Sequence, residues 1–368
     1  MPDKTSLHDI TARAGADFTE DAGWLVPAHF EGRDAEYRRA REEAALFDVS
    51  HRGKVEVAGS DAASFLQNLS TNDVAGLPVG ASCEAFFTTA QARVVAYALV
   101  HRLPLRDGNS VFWLDTDPAS ADRLIKHLDQ YLISEQVELT DSTRAYAWMH
   151  LAGPQARAVL EEALGEKLPD LEPLRHIPGK VGGKISSAIR RRDALGVWGY
   201  DIACPDAGAG AVWETLTRSG AAPAGWEAYE LLRIEAGTPV YGKDIDETNL
   251  ALEVGRTRQA ICYTKGCFLG QEPLVRIRDL GHINRSLTGL KIAGTEAVPH
   301  GAKLFRDGKE VGHVTSSVVS PRFGTAVALA YVRRGSDQPG TRVQVEPGGA
   351  RRPAEVVGLP MAGFGGGN

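Results

Sequence analysis

The stretch richest in reactive chemistry is Lys265-Gly266-Cys267-Phe268-Leu269-Gly270-Gln271-Glu272. A thiol stands between two glycines, with a lysine two residues before it and a glutamine–glutamate pair after it. Pro273 follows and suits the first turn of a helix, where its missing N–H would have no partner in any case. A thiol just before a helix N-terminus, near Lys265, Arg276 and Arg278, is placed where a thiolate is stabilised. The alternative is that Cys267, beside Phe268 and Leu269, is a small buried hydrophobe.

Three other clusters have residue types that could do chemistry. In Asp48-Val49-Ser50-His51, adjacency along the chain does not make Ser50 and His51 a nucleophile pair, and no glycine-bracketed serine elbow supports hydrolysis. A turn bonded by its own side chains is the expected role. In Gly196-Val197-Trp198-Gly199-Tyr200-Asp201-Ile202, glycines let backbone approach a planar ligand, and Asp201 could accept paired hydrogen bonds from an aminopyrimidine edge. A hairpin turn entering an edge strand has the same pattern. The run from Arg233 to Asp244 joins an Arg–Glu helix end to a Gly/Pro-punctuated loop. It reads either as a capped helix with a salt bridge or as one wall of a cleft shared with the cysteine motif.

Composition narrows the function classes. The chain has 368 residues, 43% hydrophobic and 24% charged, with a net charge of −6, so no general affinity for nucleic acid or an anionic membrane is expected. Four cysteines in this length do not make a disulfide framework, and Cys262 and Cys267 lack a second Cys/His pair for zinc, so no metal is expected. The acid-rich first residues have no apolar segment, and no apolar run approaches membrane-spanning length. The expectation is a cytoplasmic protein.

These sites need elements to position them. Residues before about Glu31 read as an irregular leader, and Ala35 to Leu46 as a helix. Lys54 to Val57 alternates like a strand, and Ser60 caps a helix carrying Phe65, Leu66 and Leu69. Arg93 to Val100 and Val111 to Leu114 read as partner strands, followed by a helix opened by Pro118. Arg144 to Leu164 repeats the strand-then-helix unit. Trp226 to Ala236 is a helix ended by Gly237. From Ser286 short alternating strands recur, with Asp307-Gly308 as a hairpin turn, and read as a small β-barrel. The fold class is α+β, with two strand–helix blocks forming a body over residues 1–281. The barrel spans 285–362, and the tail 363–368 is expected to be disordered.

The Asp48–His51 run, the Arg-x-Glu-x-Gly…Tyr-Gly-x-Asp run from Arg233 to Asp244, and the final barrel together resemble the glycine-cleavage T-protein (aminomethyltransferase) superfamily. Within it, Lys265-Gly266-Cys267-Phe268-x-Gly270-Gln271-Glu272 resembles the signature of the YgfZ branch. The resemblance implies a pseudo-symmetric, two-part folate-binding body, with interleaved sub-domains near 31–140 and 141–281, closed by a barrel, with tetrahydrofolate or a derivative as cofactor. It implies Asp201 on the pterin and Arg233 near the folate, with Tyr200 and Glu235 beside them. Cys267 would be the reactive group, assisted by Lys265. The implied function is support of iron–sulfur protein assembly or repair, with iron–sulfur proteins or assembly factors as partners.

The alternative implied by the superfamily is a folate-dependent aminomethyltransferase or a related demethylase. T-proteins carry an aspartate pair in the strand after a small-residue turn. Here those positions read Ala96 and Tyr97, neither of which accepts a proton near neutral pH as a carboxylate does. That reading therefore needs another acid, and Asp244 and Glu272 are the candidates.

Overall fold

In the computed structural model, which describes residues 1–361, two sheets face each other and a barrel closes one side. The first sheet has five strands, in the order Ser82–Thr88, Val94–Arg106, Asn109–Thr116, Gly53–Gly59 and Glu138–Asp141. The second has six, in the order His176–Val181, Ile185–Arg191, Gly199–Pro205, Tyr146–Ala152, Ala45–Asp48 and Ala222–Ala224. Alternation along the strands gives each sheet one face for helices and one for the opposite sheet. Helices Ala62–Leu69 and Ala121–Asp129 cover the first sheet through Phe65, Leu66, Leu124 and Leu128. Helices Ala156–Leu164 and Ala209–Arg218 cover the second through Val159, Leu160, Val212 and Trp213. Between the sheets lie Phe47, Trp113, Trp148 and Tyr229.

The halves interleave: Ala45–Asp48 pairs with Tyr146–Ala152 and Ala222–Ala224 of the second sheet. This corrects the expected helix from Ala35 to Leu46, which runs only from Arg33 to Glu42. Ala45, Leu46 and Phe47 are buried on both faces of a central strand, and tertiary pairing overrides the helical preference of alanine and leucine. The expected irregular leader also differs. Asp3–Lys4, Asp17–Asp21 and Trp24–His29 form a small three-stranded sheet beside the helix His8–Arg13.

Six strands between Arg285 and Val357 close the barrel. Asp307 and Gly308 both take positive φ, as a tight hairpin between Lys303–Arg306 and Lys309–Ser320 requires. The strand Thr325–Arg333 is buried on both faces. Ala326, Ala328, Ala330 and Val332 fill the narrow interior, while Val327, Leu329 and Tyr331 pack outward on Ile234 of the body. The expected tail 363–368 lies outside the described residues. Among the described residues, no helix is long and apolar enough to cross a membrane.

The helix Trp226–Ala236 joins barrel to body, ending at Gly237 with φ +73°. Its Arg233 is buried and uses every guanidinium donor. Nε and Nη2 each meet Glu230 at 2.7 Å, Nη1 meets Asp244 at 2.8 Å and the Thr238 carbonyl at 3.3 Å, and Nη2 reaches Ser316 of the barrel at 3.0 Å. Asp244 in turn accepts from the Thr315 and Ser316 hydroxyls at 2.5 and 2.7 Å. Glu235 accepts from Tyr37 at 2.9 Å and from Ser320 of the barrel at 2.5 Å. Removing one partner of such a buried set strands the others without compensation. Arg233→Met is expected to lower unfolding stability by about 3–5 kcal/mol in chemical denaturation; an unchanged midpoint would show the clamp to be inert.

Candidate functional site

A cavity of about 600 Å³ opens where the two sheets, the helix Trp226–Ala236 and the barrel meet. Arg52, Asp115 and Asp117 line it from the first half, and Arg192 and Tyr229 from the second. Leu287, Val357 and Leu359 form the barrel wall. Leu99, Leu174 and Val254 add apolar surface, so a few polar groups converge inside a largely apolar enclosure.

The polar end rests on a buried ionic lattice between the sheets. Asp115, fully buried, accepts from Arg52 Nε at 2.7 Å, Arg190 Nη2 at 3.0 Å and Arg192 Nη1 at 3.4 Å. Asp201 accepts from His150 Nδ1 at 2.7 Å, from Arg192 Nη1 at 3.3 Å and from Arg190. Burial alone would raise both carboxyl pKa values. For Asp115 the guanidiniums of Arg52, Arg192 and Arg190 outweigh it and hold the group below the usual carboxylate range. For Asp201, Arg190, Arg192 and His150 do so more strongly. Among the described residues, Nε and Nη2 of Arg192 and the Tyr229 hydroxyl bond no protein atom, although both residues line the cavity. Arg192 is thus a pre-positioned fork with donors to spare.

On another wall the Tyr97 hydroxyl donates to Glu84 at 2.6 Å, and Arg256 holds the same carboxylate through Nε at 2.9 Å and through Nη2. Burial and the neighbouring Glu84 push the Tyr97 hydroxyl well above its ordinary range, so it stays protonated. Ala96 points the other way, into the core of the first sheet.

The expected folate residues are not all brought here. Asp201 lies behind the cavity with its carboxylate committed to Arg190, Arg192 and His150, so it holds Arg192 rather than facing a ligand. Tyr200 points to the opposite face of its strand, into the helix-covered core. Glu235 serves the body–barrel clamp. Arg233 reaches the cavity wall, but all its donors are taken.

The cysteine motif lies elsewhere. Lys265 Nζ donates to the carbonyls of Gln67, Ser70 and Asn72 at 2.6, 2.7 and 2.7 Å. It caps the C-terminal end of the helix Ala62–Leu69 and does not assist Cys267. Burial pulls its ammonium down to about 8, which leaves it charged near neutrality. Gly270 has φ +81°, and a Cβ there would stand 2.5 Å from Thr88 Oγ1 and 2.7 Å from the Thr89 carbonyl. Leu269 donates its N–H to Asn68 at 2.9 Å. Phe268 is buried, whereas Cys267 and Glu272 are exposed, and Gly266, Cys267, Gln271 and Glu272 do not line the cavity. The packed-thiol alternative therefore fails, and so does a shared pocket for thiol and folate. Nor do the two acids considered for transfer chemistry serve: Asp244 is locked in the clamp and Glu272 faces solvent.

Sequence reasoning missed Arg52, Glu84, Asp115, Asp117, Arg192 and Arg256. Arg190-Arg191-Arg192 was the available signal, because consecutive arginines at the end of a strand beside a glycine turn are unusual for a buried hairpin. Among the described residues no group of three or more His, Cys, Asp or Glu could hold a metal ion.

Comparison with known proteins agrees with this architecture. Residues 7–260 match the GCVT N-terminal domain, and residues 285–362 match the glycine cleavage T-protein C-terminal barrel domain. An aminomethyltransferase of Rubrobacter xylanophilus is 32% identical over 89% of this chain and 87% of its own length. One from Synechococcus elongatus is 32% identical over 96% and 95%. The solved structure of the glycine cleavage system aminomethyltransferase T of Bartonella henselae superposes with a TM-score of 0.90 at 27% identity, covering 99% of both chains. With two family domains matched in order around one cavity, the chain belongs to the glycine cleavage T-protein family.

Proposed function

We propose that this protein binds a reduced folate in the cavity between the halves and the barrel, and acts in folate-dependent one-carbon transfer of the aminomethyltransferase type. The observation that carries the reading is the unspent guanidinium face of Arg192, beside the Tyr229 hydroxyl, inside a 600 Å³ enclosure. A folate joins a planar, hydrogen-bonding ring system to an aromatic linker and an anionic tail. The cavity supplies the matching parts: free donors at Arg192, apolar walls at Leu99, Leu174 and Leu287, and a further guanidinium at Arg256. The residues present therefore fit the group. When bound, a reduced folate supplies an amine nitrogen able to carry a one-carbon unit. The chain's contribution is orientation by Arg192, held rigid by Asp115 and Asp201, and exclusion of water by the barrel wall.

The named relatives are aminomethyltransferases, which favours this reading over iron–sulfur assembly or repair. Titration calorimetry with tetrahydrofolate tests it. The wild type should bind, and Arg192→Leu should weaken binding by about 10- to 100-fold, the worth of a charge-assisted hydrogen bond. Absence of binding by any reduced folate contradicts the proposal.

A second reading, the YgfZ-type maintenance factor, is favoured by one feature: the Lys265–Glu272 motif presents Cys267 to solvent on an anchored loop. The two readings separate in Cys267→Ser. Under the transfer reading, folate affinity and cellular function survive the substitution, because the thiol lies outside the cavity. If iron–sulfur enzymes lose activity in cells carrying only the serine variant, the maintenance role gains and the simple transferase loses.

A further inference from the structure

The strand Val94–Arg106 sends Tyr97 and Leu99 to the cavity and no carboxyl. Five carboxyl side chains line the cavity from other elements: Glu84, Asp115, Asp117, Asp193 and Asp337. Four of them have side-chain hydrogen-bond partners of their own among the described residues. Glu84 carries Arg256 on both oxygens together with Tyr97. Asp115 carries Arg52, Arg190 and Arg192. Asp193 receives Arg191 Nε and Nη2 at 2.9 Å on separate oxygens. Asp337, on the barrel rim, is half-buried and accepts from Ser286 and the Gly335 N–H.

Asp117 differs from all four. It is only 5% exposed yet lines the cavity. It stands where an N-cap would, ahead of the short helix Pro118–Ser120, but its side chain makes no capping hydrogen bond. Oδ2 instead accepts the Tyr241 N–H at 2.7 Å, whereas Oδ1 makes no hydrogen bond among the described residues, with Arg52 Nη1 at 3.7 Å beyond hydrogen-bond range. The charged groups that bear on it are Arg52 from the turn before Gly53–Gly59, Arg192 from the facing half, and Asp115 from its own strand. We propose that Asp117 is the group that takes up and releases a proton inside the cavity, through Oδ1, in exchange with an amine nitrogen of the bound ligand. Burial pushes its carboxyl up, and Arg52 and the Tyr241 N–H do not fully offset this. Proton transfer needs a group whose two protonation states are close in free energy, and a guanidinium hydrogen-bonded directly to a carboxylate favours its ionised state. The carboxyl proton passes from Asp117 Oδ1 to the lone pair of the amine nitrogen, the O–H bond breaking as the N–H bond forms, and solvent then restores the carboxyl proton, so binding takes up one proton from the buffer.

This inference rests on the folate reading for the identity of the ligand, and two measurements separate the two. Carbon-13 NMR of labelled aspartate carboxyls in the ligand-free protein should show one group titrating above the range in which an ordinary aspartate ionises. That signal should vanish in Asp117→Asn, which keeps an oxygen for the Tyr241 N–H. Calorimetry of tetrahydrofolate in buffers of different ionisation enthalpy should then show net proton exchange in the wild type and none in Asp117→Asn. If no aspartate carboxyl titrates above the ordinary range, or if the variant exchanges as many protons as the wild type, the proposal is overturned. If tetrahydrofolate does not bind at all, the folate reading falls, and the carboxyl titration still decides the role of Asp117.

Discussion

The lattice of Asp115, Asp201, Arg52, Arg190, Arg192 and His150 is the constraint on which the rest of the body depends. Two sheets that each bury a helix-covered face would also pack well at their second faces with apolar residues alone. Placing ionised groups there instead is costly unless every charge is paired, and guanidiniums and carboxylates alternate across the interface so that they are. A misregistered sheet would strand one of these charges, so the lattice selects one relative placement of the halves. It also leaves a directional excess at one edge, where Arg192 has more donors than acceptors.

Function follows from where that excess lies. The barrel covers the edge because Arg233 and Glu235 on one helix bind Ser316 and Ser320. The cavity is therefore bounded by three bodies, each held by buried ionic contacts, and its polar groups are fixed before any ligand arrives. Pre-organisation of this kind lowers the cost of ordering side chains on binding. The same packing explains why Lys265 and Cys267 part company. The lysine turns inward to cap a helix, and the thiol two residues later is left at the surface.

Local patterns were legible in the sequence wherever a local cause decides the outcome. Gly237 ends its helix, Asp307-Gly308 turns its hairpin, and the alternating barrel strands follow from period two. The site was less legible because its contacts join distant residues. Arg192 and Asp115 lie 77 positions apart, and Arg233 and Ser316 lie 83 apart. An arginine near a glutamate on a helix end cannot reveal that a barrel hydroxyl takes its last donor. Asp117 was hidden for the opposite reason, since Asp-Pro at a helix start has an ordinary local explanation that the geometry does not use. The strand Ala45–Asp48 was misread because alanine and leucine favour helix until a sheet claims both faces.

The central claim is that the junction of the two halves and the barrel is the ligand site, organised by Arg192. A crystal structure of the protein soaked with tetrahydrofolate tests it most directly. The account predicts density for the ligand within the junction, in hydrogen-bond contact with Arg192 Nε or Nη2 and walled by Leu287 and Leu359. Ligand bound at another surface, with the junction filled only by solvent, would contradict it.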